Sequence, residues 1–234
     1  MRSVLTLITA ILIGVTAVAA EAGAKPKLLI LTGGEIHNFQ EIGDSVQKTL
    51  EASNLFAITR VNGDLDALKA ERLSAFDVVV FYWTLGDLTN EQRTGLLSTV
   101  AAGKTHFVTF HSGADSFRGD PAYRAFVGGH FITHPAYREY EVSVTEVAHP
   151  ITKGIERFMH TDEQYILDYD PRVTSLANSL YRGKLMPSCW VKEWGNGRIF
   201  YSGMGHDARA CEDPMFKKIV TRAVAWAAGI PVPE

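Results

Sequence analysis

The run Thr105-His106-Phe107-Val108-Thr109-Phe110 is apolar, β-branched and aromatic, and it stops at His111-Ser112-Gly113, a histidine in a small-residue turn. A glycine and a helix-like segment precede it, so it reads as a strand of a parallel sheet covered on both faces. Such sheets gather ligands beyond the carboxyl ends of their strands. Two further runs end in the same way: Leu28 to Thr32 leads into Gly33-Gly34-Glu35-Ile36-His37, and Ile199 to Ser202 leads into Gly203-Met204-Gly205-His206-Asp207. If these strands are parallel, His37, His111 and His206 converge on one crevice.

The rest of the first half supports that geometry. After the first strand, Ile42, Val46 and Leu50 recur at helical spacing within Phe39 to Glu51. Phe56 to Val61 reads as a strand, Leu65 to Leu73 as a short helix, and Phe76 to Trp83 as a third, fully covered strand. Thr89 with Gln92 three residues on forms a capping box for a helix that Gly103 closes. Strand and helix thus alternate up to residue 115, which predicts a doubly wound, mostly parallel α/β sheet with right-handed crossovers.

The second half is less regular. Pro121 to Val127 reads as a short helix and Tyr140 to Thr145 as a half-exposed strand. Ser175 to Leu180 and Cys189 to Glu193 suit an antiparallel extension, and Gly195-Asn196-Gly197 a tight turn into the last strand. Pro214 to Gly229 closes the chain as an amphipathic helix. His149 before Pro150 is expected to form a turn that opens a short helix. With no repeat, linker or low-complexity tract, one domain is predicted.

Residues 1–20 stand apart from that domain. Met1-Arg2 is charged, Val4 to Val15 is almost wholly apolar, and Ala17-Val18-Ala19-Ala20 offers a small-residue cleavage site. This is the pattern of a secretory signal peptide, with residues 21–234 as the mature, secreted or periplasmic chain and no stable membrane anchor after cleavage. In an oxidising compartment Cys189 and Cys211 can pair or stay free. The net charge of -3, without any Lys/Arg block, offers no footprint for nucleic acid. No glycine-rich phosphate fingerprint follows the first strand and no P-loop occurs, so a nucleotide is not expected.

Imidazole is the commonest metal ligand and the usual general base near pH 7, so the clustered histidines carry the chemical expectation. His130 in Gly128-Gly129-His130 and His134 before Pro135 are further members, either of which can serve as general base. His106 is read as structural. Acidic partners come from Asp162-Glu163-Gln164-Tyr165, where Glu163 is preferred as a ligand and Asp162 is equally well a solvated loop residue, and from Asp207, which can orient an imidazole from outside the ligand set. The expected set is a divalent ion on His37, His111, His206 and Glu163, with His111, His130, His134 and Asp207 as catalytic candidates. Nitrogen and oxygen donors without thiolate suit Zn, Mn, Ni or Fe alike. Trp83, Phe117, Tyr123 and Trp190 can stack on a sugar, with core packing the safer assignment for each.

Taken together, Thr32-Gly33-Gly34 with His37-Asn38-Phe39, Phe110-His111-Ser112-Gly113, Val127-Gly128-Gly129-His130-Phe131 with His134-Pro135, His149-Pro150-Ile151-Thr152, Asp162-Glu163-Gln164-Tyr165, and Gly197 through Asp207 resemble the ThuA-like (trehalose-utilisation) family. The resemblance runs from Lys27 to Gly229. It implies a flavodoxin-like fold similar to class I glutamine amidotransferases, with His111 where their nucleophilic cysteine stands, so that thioester glutaminase chemistry is excluded. It further implies a small carbohydrate substrate, 3-keto-glycosides or trehalose-like disaccharides, and a divalent metal in some members. A non-catalytic sugar-binding or accessory protein is the alternative, and a structural domain of a surface complex a weaker one. Oligomeric state stays open.

Overall fold

The computed structural model describes residues 23–234, so the expected signal peptide of residues 1–20 lies outside the described residues. The chain forms β1 (Lys27–Gly34), α1 (Phe39–Ala52), β2 (Ala57–Asn62), α2 (Ala70–Leu73), β3 (Val78–Thr84), α3 (Asn90–Ala101) and β4 (His106–Phe110). It continues with α4 (Pro121–Val127), β5 (Gly129–Thr133), β6 (Arg138–Val144), β7 (Arg157–Asp162), β8 (Ile166–Tyr169), β9 (Thr174–Tyr181), β10 (Lys184–Trp194), β11 (Gly197–Ser202), α5 (Ala208–Glu212) and α6 (Pro214–Ala228).

Nine strands make one sheet in the order β2-β1-β3-β4-β11-β10-β9-β6-β7. The first five of that order pair in parallel and give the flavodoxin-like arrangement. From β10 onward every pairing is antiparallel, which is the predicted extension, and the turn at Gly195-Asn196 joins β10 to β11 as expected.

Why β1 and β3 read as unbroken apolar runs is visible in their packing. Leu28 and Ile30 face one layer with Ile42, Val46 and Leu50 of α1 and Phe216, Ile219 and Val220 of α6. Leu29 and Leu31 face the other, with Leu73 of α2, Leu96 and Val100 of α3, and Tyr123 and Phe126 of α4. A strand buried on both faces has no polar position to alternate with, and each large side chain so buried contributes roughly 1.5–3 kcal/mol. Trp83, Phe117, Tyr123 and Trp190 all belong to this second layer, which makes them core residues.

Two local expectations are corrected, and one strand pair goes beyond them. Leu65 to Leu73 is not one helix: a 3₁₀ turn, Leu65–Leu68, is cut from α2 by Lys69, whose extended backbone (ψ 143°) breaks the helical register. His149-Pro150 opens no helix, because the His149 Nδ1 accepts the Ile151 N–H at 3.2 Å and the Thr152 and Lys153 amides fold back on the His149 carbonyl as turns. β5 and β8, which no alternation announces, pair with each other as a separate two-stranded ribbon. Cys189 and Cys211 are both buried and unpaired. Among the described residues no helix is long and apolar enough to cross a membrane.

Candidate metal centre

The crevice opens where the connections of the sheet diverge: β1 runs to β2 through α1 on one face and β3 follows α2 on the other, so the loops after β1 and β3 part company at their carboxyl ends. The loop after β1 carries His37. It lies close because Gly34, at φ +91°, rests on the backbone of Thr84, and any Cβ there would come within 2.3 Å of the Thr84 carbonyl oxygen. The His37 Nδ1 is 2.8 Å from the Thr84 hydroxyl at the end of β3.

His111 follows β4 with φ +44°, a left-handed conformation that a non-glycine residue adopts only where its surroundings impose it. The surroundings are hydrogen bonds to its main chain and turn. Tyr201 donates to the His111 carbonyl at 3.0 Å and Tyr123 to the Gly113 carbonyl at 2.9 Å. The imidazole is fully buried, covered by the Tyr165 ring at 3.8 Å between centroids. Its Nδ1 lies 3.1 Å from the Gly203 carbonyl, which can only accept, so Nδ1 carries a proton and in the neutral ring the lone pair is on Nε2. That Nε2 has no hydrogen-bond partner; its nearest charge is Glu163 Oε2 at 3.5 Å.

His206 enters from the turn after β11 and Glu163 from the residue after β7. The His206 Nδ1 is 3.1 Å from Glu163 Oε2. The three imidazoles meet edge to face, with centroids 5.2 Å apart for His37 and His111, 5.1 Å for His37 and His206, and 5.2 Å for His111 and His206. One ligand atom from each of His37, His111, Glu163 and His206 lies within 4.8 Å of the others. Three nitrogens and one carboxylate oxygen at that spacing are a donor set for a divalent cation, and a buried orphan Nε2 aimed into it is what such an ion would satisfy.

At His37 and Glu163 the electrostatics favour the forms a cation needs. Burial pushes the His37 imidazolium down to about 3, and the neighbouring His111 and His206 push the same way, so His37 is neutral at pH 7. Burial alone would raise the Glu163 carboxyl, but the imidazoles of His111 and His206 overcome it and hold it well below the usual carboxylate range. For His206 burial works against the charged form, and the Glu163 carboxylate beside its Nδ1 outweighs it, raising the imidazole above its ordinary value.

The other expected residues are placed differently. His134 is adjacent, its Nε2 3.6 Å from Glu163 Oε1. His130 is on β5 and faces Asp168 of β8 at 3.9 Å; no contact joins it to the four donors. Asp207 does not hold an imidazole: it caps α5 by accepting the Ala210 N–H at 2.8 Å and pairs with Arg209 at 3.1 Å. The role of fixing His206 falls instead to Asp162, which is fully buried rather than solvated. Its carboxylate accepts the backbone N–H groups of Gly205 at 2.6 Å and His206 at 3.3 Å. Asp162 and His160, also buried, share the inward face of β7 at a spacing of two, and reading Arg157 to Asp162 as a strand would have exposed that pair.

Fold and site define a flavodoxin-like α/β protein whose strand-end elbow holds a histidine amid a four-residue donor cluster. The chain belongs to the ThuA family, described as trehalose utilisation, which matches residues 27–227. None of the curated proteins matches it in sequence. Among solved structures, a ThuA-like protein from Parabacteroides merdae superposes with a TM-score of 0.82 at 20% identity, over 90% of this chain and 93% of that one. A ThuA-like protein from Bacteroides uniformis gives 0.75 at 20% identity, over 91% and 95%. A β-galactosidase from Rahnella sp. R3 gives 0.63 at 15% identity, where 90% of this chain covers 33% of the larger one. At these identities the likeness is one of fold.

Proposed function

We propose that this protein is an exported enzyme that holds a divalent metal on His37, His111, His206 and Glu163 and acts on glycosides, with 3-keto-glycosides or keto-derivatives of trehalose-like disaccharides as the substrate class. The observation that carries the reading is the convergence of four donors, one of them a buried imidazole with an unpartnered Nε2, at the carboxyl edge of the sheet. Family membership supports the carbohydrate. The leader-like residues 1–20 support export.

The chemistry follows from the sugar. A ketone at C3 acidifies the hydrogen at C2, so a base removes that proton, the electron pair moves into the C2–C3 bond, and its return expels the C1 substituent, which leaves as an alcohol once protonated. A bound cation would supply Lewis acidity at the carbonyl or an adjacent hydroxyl. His134 is the residue suited to carry the proton. Its Nδ1 donates to the Pro135 carbonyl at 2.9 Å, so in the neutral ring Nε2 is the nitrogen able to accept a proton, facing the cluster and partly open to solvent. The lip beside His37 and His206 is lined by Ile36, Asn38 and Ala208. Ala208 also lines a wider groove of about 600 Å³ with Tyr137, Met159 and Arg209, which is room for a sugar unit beyond the reacting one.

N-terminal sequencing and elemental analysis of the purified mature protein test the reading together. The expected result is a start near Glu21 and about one equivalent of a transition metal. His111→Ala should then lose both the metal and turnover on a 3-keto-glycoside while its far-ultraviolet dichroism stays native. Sugar binding without metal or turnover in the wild type would replace the enzyme by the accessory-protein reading.

A further inference from the structure

β7 ends in a carboxylate that touches three backbone amides and no solvent. Asp162 Oδ1 accepts the Glu163 N–H at 2.7 Å and the His206 N–H at 3.3 Å, while Oδ2 accepts the Gly205 N–H at 2.6 Å. The fourth partner is His160 Nε2, 3.1 Å from the same Oδ2. Both side chains are fully buried. Buried carboxylates are retained only when their oxygens are satisfied, and here the donors are the main chain of two of the four cluster residues and the glycine between β11 and His206.

His160 is held at Nε2 by Asp162 and packed by aromatic rings. Its ring is met edge-on by Tyr140, with centroids 6.0 Å apart, and by Phe158 at 6.4 Å. Its Nδ1 faces Asp213 Oδ2 at 3.7 Å, and Asp213 caps α6 through the Met215 and Phe216 amides at 2.8 and 3.1 Å. The His160 Nδ1 has no hydrogen-bond partner, so the bonded link runs from His160 Nε2 to Asp162 and from Asp162 to the turn that presents His206. That turn has no slack of its own: Gly205 stands at φ +107°, and a Cβ there would lie 2.7 Å from Phe110 and 2.9 Å from Phe216.

We propose that the buried Asp162–His160 pair is a positioning device that sets Glu163 and His206 at ligand distance and thereby fixes the affinity and geometry of the cluster for a divalent cation. The proposal rests on the metal reading above. Neither residue is a ligand: Asp162 spends its oxygens on amides, and His160 meets the cluster only through Asp162. Changing Asp162 to asparagine preserves shape but turns one acceptor into a donor facing backbone N–H groups, so the Gly205–His206 turn must shift.

The test is a titration of the metal-free mature protein with Co(II), read by calorimetry and by the visible d–d absorption of the bound ion. Wild type should give one tight site. Asp162→Asn should bind about 10–100-fold more weakly and show an altered d–d band, the size of loss that outer supporting partners usually cause. His160→Phe should move in the same direction, while His160→Gln, which keeps a donor at the position of Nε2, should stay within about threefold of wild type and restore the band. If Asp162→Asn does not fold, the two His160 variants decide. Wild-type affinity and an unchanged spectrum in Asp162→Asn, or in His160→Phe, would overturn the positioning role while leaving the metal centre intact. A wild type that takes up no cobalt would overturn the metal reading and this inference with it.

Discussion

His111 holds a backbone conformation that costs an L-residue on the order of 1–2 kcal/mol, and it is kept there by contacts that also fix its imidazole. The turn behind it has no room for error. A Cβ on Gly113 would stand 1.9 Å from the Thr109 hydroxyl, which donates to the Phe81 carbonyl at 2.7 Å and cannot rotate away without losing that buried bond. Gly113→Ala is therefore expected to destabilise the protein by roughly 1–3 kcal/mol, the cost of overpacking a rigid site, and to weaken metal uptake because His111 moves with the turn. Urea unfolding monitored by tryptophan fluorescence measures the first effect. An unchanged midpoint would mean that the elbow is not rigid. His111, His37 and His206 were legible as a group because each follows an apolar run, and position in a parallel sheet then determines which edge they share. Asp162 was not legible, since a carboxylate between Thr161 and Glu163 looks solvated until the strand pairing turns it inward.

At the level of elements, α4 shows how much a cap can carry. Asp120 accepts the Ala122 and Tyr123 amides at 3.0 and 3.1 Å, and Arg93 of α3 closes on its other oxygen, so one buried carboxylate joins two helices. Burial alone would raise the Asp120 carboxyl; the Arg93 guanidinium and the capped amides outweigh it and hold the group below its ordinary value. A depressed folded-state value means stability that is present above the ordinary carboxylate range and lost as pH falls through the folded one. Asp120→Asn keeps a competent cap but loses the charge facing Arg93, so it should cost up to about 1 kcal/mol near neutrality and flatten the acid limb of the stability curve, measured by denaturant midpoints from pH 6 down to pH 3. An acid limb as steep as the wild type's would show that other carboxylates set it. The helices and doubly covered strands of the first half were readable because periodicity and caps are local signals. The β5–β8 ribbon and the break at Lys69 depend on distant packing, such as Gly129 lying against Trp190, and leave no periodic trace.

The whole molecule comes together at the cluster because its four donors come from four separate connections, after β1, β4, β7 and β11, and so from both the parallel half and the antiparallel extension. An ion held there cross-links parts of the chain that otherwise communicate only through the sheet. No such site exists in the unfolded chain, so binding free energy becomes folding free energy. At a free-metal concentration of about 100 times Kd, the stabilisation is ~2.7 kcal/mol, provided the unfolded chain binds weakly. For a domain of this size each kcal/mol moves the midpoint by roughly 2–4 °C, so metal should raise Tm by about 5–10 °C and a chelator should reverse it. The check is a pair of thermal scans on the same apo preparation, with Zn(II) or Mn(II) and with excess EDTA, repeated on His111→Ala. The variant should show no metal-dependent gain, since it lacks the buried Nε2 around which the other three donors gather. A wild-type Tm indifferent to every divalent ion would mean that the four side chains are held together by their own hydrogen bonds and charge, and that their work is acid–base chemistry by histidine alone.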